Sequence, residues 1–166
     1  MKRRSFIKNS ILLTNSIIFP TIFNLNTRNL KVGIIADVHQ DIIFDGNKRI
    51  KKFLNEAKKL NVDFIIQLGD FALPRKVNQK FINTWNSFKG LKYHVLGNHD
   101  MLDFGFKKNE TMNWWGMKKR YYSFNKRGIH FTVLDGNDKN TGDWNEHYFR
   151  YIGAEQKIWL ENDLKK

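Results

Sequence analysis

Three short apolar runs, each followed at once by a polar motif, constrain this chain more than any other feature. Lys31-Val-Gly-Ile-Ile-Ala36, Asp63-Phe-Ile-Ile-Gln-Leu68 and Tyr93-His-Val-Leu96 have the length and aliphatic content of buried strands. The segments between them have helical spacing. Ile50, Phe53, Leu54, Ala57 and Leu60 predict an amphipathic helix over 47–60. Val77, Phe81, Trp85 and Phe88 space like the buried face of a second helix, closed by Gly90. The order β-α-β-α-β predicts parallel strands joined by helical crossovers, an α/β fold. Further along, apolar runs at 121–124 and 129–134 flank Asn125-Lys-Arg-Gly128, which predicts a hairpin with a four-residue turn. A final helix over 153–164 is expected to bury Ile158 and Trp159, with Leu164 a further candidate.

The polar motifs carry the chemistry. Asp37-Val-His39 follows the first run, Gly69-Asp70 the second and Gly97-Asn98-His99-Asp100 the third. In open α/β sheets, sites form beyond the C-terminal ends of the strands. Three neighbouring strand ends would gather Asp37, His39, Asp70, Asn98 and His99 at one crevice. Asp-x-His on extended backbone puts both side chains on one side. Gly69 and Gly97 allow tight turns, so that Asp70 can bridge two ions through its two oxygens. Asp-x-His and Gly-Asp are each common by chance and Gly-Asn-His-Asp is rarer; all three in order, each after an apolar run, point to a metal site of hard-to-borderline ligands. His94 and His130 lie within strands and read as structural. His147, in an aromatic stretch, is a lesser candidate for a substrate or metal contact. Trp114-Trp115 reads as a cap over the core.

Composition narrows the chemistry further. The chain has no cysteine, which excludes disulfides, thiolate metal sites and thiol nucleophiles. Its net charge is +13, from 29 Lys and Arg against 16 Asp and Glu. Lys dominates, Asn is abundant, and no stripe of Arg with interleaved aromatics marks a nucleic-acid surface. No acidic residue precedes Asp37. Met-Lys-Arg-Arg-Ser-Phe-Ile-Lys8, followed by an apolar stretch to Phe19, has the layout of an export signal and resembles the twin-arginine signal. It is too short and too polar for a stable membrane span. Residues 1–30 are therefore expected to address the chain to the periplasm or cell surface, by cleavage or as a retained anchor. Lys107, Lys108 and Arg150 are basic candidates for contact with an anionic ligand.

These motifs resemble the first three of the calcineurin-like metallophosphoesterases. Tyr121-Tyr-Ser-Phe, His130-Phe-Thr-Val-Leu-Asp-Gly136 and Gly153-Ala-Glu-Gln-Lys-Ile-Trp-Leu160 resemble later segments of its purple acid phosphatase-like and ADP-ribose/CDP-alcohol diphosphatase-like branch. The resemblance spans about 31–164. It implies an α-β-β-α sandwich and two metal ions, divalent or trivalent, of Mn, Fe or Zn type. It makes Asp37 and His39 ligands of one metal, Asp70 the bridge and Asn98 a ligand of the other. His99 would act on the transition state or the leaving oxygen, with Asp100 behind it. The implied activity is two-metal hydrolysis of a small phosphate ester or nucleotide-type pyrophosphate.

The sequence departs from the family pattern in two places. Gly69-Asp70-Phe-Ala-Leu73 lacks the second acid of Gly-Asp-x-x-Asp, and no His-x-His pair follows His99. The expectation is a domain over 31–166 that is incomplete at its C-terminus, with much of the second sheet missing. Two further readings follow: a truncated member, inactive or requiring a second polypeptide to supply the missing His ligands, and a basic nucleic-acid-binding protein.

Overall fold

A computed structural model describes residues 30–101, 105–139 and 151–166. The export-signal segment within 1–29, and His147 and Arg150, lie outside the described residues. No helix among the described residues is long and apolar enough to cross a membrane.

Strands β1 (Val32–Ile35), β2 (Phe64–Gln67) and β3 (Leu91–His94) form a parallel sheet with β2 in the centre. Val32 pairs with Phe64, and Phe64 with Leu91. Helix α1 (Gly46–Lys59) connects the first two strands, and α2 (Gln79–Asn86), entered through a 3-10 turn at Lys76–Asn78, connects the next two. The expected β-α-β-α-β unit is therefore present. The third strand begins two residues earlier than its aliphatic run suggests, because register with β2 starts at Leu91. Helix α2 ends at Asn86, where Ser87 caps it, rather than at Gly90.

Both helices lie on one face of the sheet. Ile50, Leu54 and Ala57 of α1 and Phe81, Ile82 and Trp85 of α2 are buried in one core with Ile65, Phe71 and Leu96. Val77 was expected on this face, but it precedes α2 in the 3-10 turn and is exposed. Gly33 lets α1 come close, since a Cβ there would sit 3.0 Å from Ile65 and 3.2 Å from Phe53.

The other face carries an antiparallel hairpin, β4 (Tyr122–Lys126) and β5 (Ile129–Val133). Its inward aromatics surround Phe64. Phe124 and Phe131 meet that ring edge-on at 5.3 and 5.2 Å, and Tyr93 stacks on Phe124 at 3.6 Å. The turn is tighter than expected. Lys126 pairs with Ile129, leaving only Arg127 and Gly128, both at positive φ (50° and 75°). That is the type I′ geometry whose twist matches the hairpin. Arg127 holds it by donating to Asp63 at 2.6 Å, just before β2.

Helix α4 (Ala154–Asp163) covers the hairpin's outer face and gives the layer order α-β-β-α. Ile158 and Leu164 are exposed and Trp159 is half-buried, contrary to expectation. The buried residues are Gln156 and Asp163. The reason is the pleat: the outward residues of the hairpin include Ser123, Asn125, His130 and Thr132, so the helix docks on a polar surface. Asp163 accepts from Ser123 at 2.8 Å and Lys166 at 3.0 Å, and His130 Nε2 lies 2.8 Å from its other oxygen. His130 is thus structural, as its strand position suggested. The second sheet has two strands among the described residues. Its cover fades toward β1, where Ile34 is 59% exposed.

A further helix, α3 (Lys108–Trp115), follows the third motif. Glu110 accepts the Lys107 N–H at its start, and Gly116, at φ 78°, ends it. It buries Trp115, whose indole donates to the Ala72 carbonyl at 3.1 Å and stacks on His94. Trp115 thus caps the core, as read from the sequence.

His94 is buried, and Trp85 Nε1–H donates to its Nε2 at 3.1 Å. An indole nitrogen only donates, so that ring nitrogen must stay unprotonated. Burial, with a smaller push from the Lys92 charge, lowers its pKa from 6.5 to about 3. The unfolded chain therefore takes up a proton that the folded chain refuses. The linked stability is fully present above about pH 6.5 and is lost as pH falls toward 3, at about 1.4 kcal/mol per unit. Urea titrations of wild type and His94→Gln across pH 7 to 4 are expected to diverge, with the variant less sensitive to acid; parallel curves would refute this assignment.

Candidate metal centre

The pairing of β1 with β2 continues past the strand ends. Leu68 N–H donates to Ile35, Asp37 N–H to Gly69, His39 N–H to Asp70 and Gln40 N–H to Phe71, at 2.8–3.2 Å. This zipped pair of loops carries Asp37, His39 and Asp70. Their donor atoms lie within 4.8 Å of one another. His39 Nε2 is 3.9 Å from Asp37 Oδ1 and 3.6 Å from Asp70 Oδ2. The expectation that Asp37 and His39 sit on simple extended backbone needs revision. Asp37, His39 and Asp70 all adopt left-handed backbone, at φ 54°, 46° and 53°. Asp and His tolerate that region better than most residues.

The third motif closes the crevice. Asn98 and His99 lie in a 3-10 turn, Asn98–Asp100, that Gly97 leads into a short way past the end of β3. His99 N–H donates to Asp70 Oδ1 at 3.1 Å, and its ring meets that of His39 edge-on at 5.3 Å. Gly69 and Gly97 pack against each other: a Cβ on Gly69 would lie 2.7 Å from Gly97 Cα. A Cβ on Gly97 would collide with the Asp70 main chain and carboxylate.

Asp100 is buried, and its carboxylate accepts three main-chain N–H groups. These come from Asp70 and Gly97, both at 2.8 Å, and from Phe71 at 2.6 Å. The resemblance puts Asp100 behind the ring of His99. Here its oxygens tie the β2 loop to the β3 loop. Burial pushes its pKa up to about 7, against the pull of these N–H groups and with help from the Asp70 charge.

The donor set suits a divalent metal. Two carboxylates and an imidazole converge, all hard or borderline, with no thiolate competing. Without a cation, the two carboxylates face each other beside His39 on strained backbone, and such strain persists only where the surroundings impose it.

Several residues that shape the site were not singled out from the sequence. Gln67 is buried at the end of β2; its Oε1 accepts the Gly69 N–H at 2.7 Å and its Nε2 donates to the Val95 carbonyl. Its one signal is a polar side chain inside an apolar run. Asp41 accepts from Leu73 and Asn78, across the two loops. Asp135 is fully buried at the end of β5, paired with Lys108 at 2.7 Å and Arg120 at 3.0 Å. Lys108, read as a contact for an anionic ligand, is instead committed to this pair and to Asp138. Lys107 stays exposed at the start of α3.

The sequence matches a family described as calcineurin-like phosphoesterase over residues 30–166. No curated protein sequence matches it. Among solved structures, a dimetal phosphatase from Danio rerio superposes with a TM-score of 0.62 at 14% identity, covering 82% of this chain. The chain spans 65% of that protein's length. A protein of unknown function from Aquifex aeolicus, 18% identical, gives a TM-score of 0.43 over 82% of this chain and 74% of its own.

The glycine contacts make a direct prediction. Gly97→Ala forces its methyl against Asp70 and should cost about 1–3 kcal/mol, the usual penalty of overpacking. A thermal melt reads this loss, and an unchanged midpoint would show that the two loops part freely.

Proposed function

Since the chain belongs to the calcineurin-like phosphoesterase family, we propose that it hydrolyses a small phosphate ester or a nucleotide-type pyrophosphate with two bound metal ions. The observation that carries this reading is the convergence of Asp37, His39 and Asp70 within 4.8 Å, at the C-terminal ends of two adjacent parallel strands, with His99 beside them. Asp37, His39 and Asp70 would hold the metal, with Asn98 as a further oxygen donor. Mn, Fe and Zn fit this donor set. When bound, the metals supply Lewis acidity toward phosphoryl oxygen and lower the pKa of water.

The chain's own groups do the rest. Asp70 is fixed from both sides, by the His99 N–H on its carboxylate and by Asp100 on its main-chain N–H. We assign His99 the proton at the leaving oxygen, a role supported by its ring standing edge-on to that of His39. Asp100 acts through main-chain geometry. The basic and apolar start of the sequence supports export to the periplasm or cell surface.

A second reading is that another polypeptide adds histidine ligands to the group formed by Asp37, His39 and Asp70. Metal stoichiometry separates the two: about two tightly held ions per chain support a self-sufficient centre, and weak retention of one supports a shared centre.

Hydrolysis of an aryl phosphate should be stimulated by Mn or Zn ions and abolished in Asp70→Asn. Unchanged rates in that variant would overturn the reading. His99→Ala should lower kcat by about 10²–10⁴-fold, the usual contribution of a positioned acid.

A further inference from the structure

The pairing that joins the Asp37–His39 loop to the Asp70 loop stops at Gln40 and Phe71. Beyond that point the two segments would be free to part, yet they carry ligands whose separation decides whether one ion can touch both. The next residue closes the pair with its side chain. Asp41 Oδ2 accepts the Leu73 N–H at 2.8 Å, and Oδ1 accepts from Asn78 Nδ2 at 2.7 Å. Asn78 is 2% exposed, and the same amide also donates to the Leu73 carbonyl at 2.9 Å. The carboxylate of one loop therefore grips the other at two points, the main chain of Leu73 and a buried amide five residues on.

Asp41 lines the crevice together with His39, Asp70 and His99. Each of its oxygens accepts an N–H from the opposite loop. The main chain of His39 is held from the same turn, since the Ile42 and Ile43 N–H groups both donate to its carbonyl, at 2.9 and 2.8 Å. The turn that presents His39 is thus the turn that carries the grip.

Left-handed backbone at Asp37, His39 and Asp70 adds the need for one. Non-glycine residues in that region cost free energy and relax unless neighbours over-determine them. Partners that orient metal ligands commonly matter 10–100-fold in affinity.

We propose that Asp41 is a positioning residue of the metal centre: by clasping Leu73 and Asn78 it sets the spacing of His39 and Asp70 and so the affinity for metal. This rests on the metal-dependent reading above.

The test compares the full chain as wild type, Asp41→Asn, Asn78→Ala and the double variant, by calorimetric titration with Mn²⁺ and by melting without metal. Asp41→Asn keeps the shape but turns an acceptor into a donor. Asn78→Ala breaks the same clasp from outside the crevice. Each single variant is expected to weaken Mn²⁺ binding about 10–100-fold. The double variant should be no weaker than the worse single, because both act through one clasp. Raised Mn²⁺ should restore hydrolysis of an aryl phosphate with an unchanged KM, which a general loss of structure would not allow. Mn²⁺ affinities within twofold of wild type overturn the proposal. So does loss of binding that merely tracks a lowered melting point in both variants, since that assigns the clasp to the fold alone. A wild-type chain that binds neither Mn²⁺ nor, in parallel titrations, Zn²⁺ or Fe²⁺ defeats the metal reading itself, whereas wild-type binding shared equally by the variants defeats only the role of Asp41.

Discussion

Three main-chain N–H groups, from Asp70, Phe71 and Gly97, converge on the buried carboxylate of Asp100. The rest of the site depends on this arrangement. A buried carboxylate is costly unless its lone pairs are met, and here they are met by the turns that follow β2 and β3. The bond fixes where Asp70 leaves its strand and places Gly97 against Gly69. Asn98 and His99 follow in the same 3-10 turn, so their positions are set by the residue that ends it.

The layers supply the rigidity behind that knot. On one side, Trp85, Phe81 and Phe71 pack beneath the sheet, and Trp85 also holds His94 through its indole nitrogen. On the other, Phe64 sits in a cage of Tyr93, Phe124 and Phe131. The strand ends therefore emerge from a core packed on both faces near β2 and β3. A second polar knot, Asp135 with Lys108 and Arg120, ties α3 to the end of β5, and Asn137 reaches from there to the Leu96 carbonyl beside the third motif.

Much of this was legible from the residues. The three parallel strands, their crossover helices and the convergence of Asp37, His39 and Asp70 follow from apolar runs that end in polar motifs. The short helix α3 did not, because Lys108–Trp115 has few apolar residues and starts on Lys107 rather than on a usual capping side chain. The two-residue turn was hidden by Arg127, a residue type seldom chosen for positive φ. Gln156 and Asp163 were missed because helical spacing announces apolar faces, and this helix meets a polar one. Asp41, Gln67 and Asp100 act on main-chain N–H groups, several of them about thirty residues away, and such partners leave no mark in residue type.

The left-handed backbone at Asp37, His39 and Asp70 has a consequence for the repertoire open to these positions. A β-branched or bulky replacement is penalised by its own dihedral angles before any question of ligation arises. Asparagine, aspartate, histidine and glycine are the side chains that such a position accepts at modest cost, and the first three are also oxygen or nitrogen donors. The residue types this backbone admits are therefore mostly ones that can also donate to a cation. The same filter warns that alanine scanning here would confound chemistry with conformation.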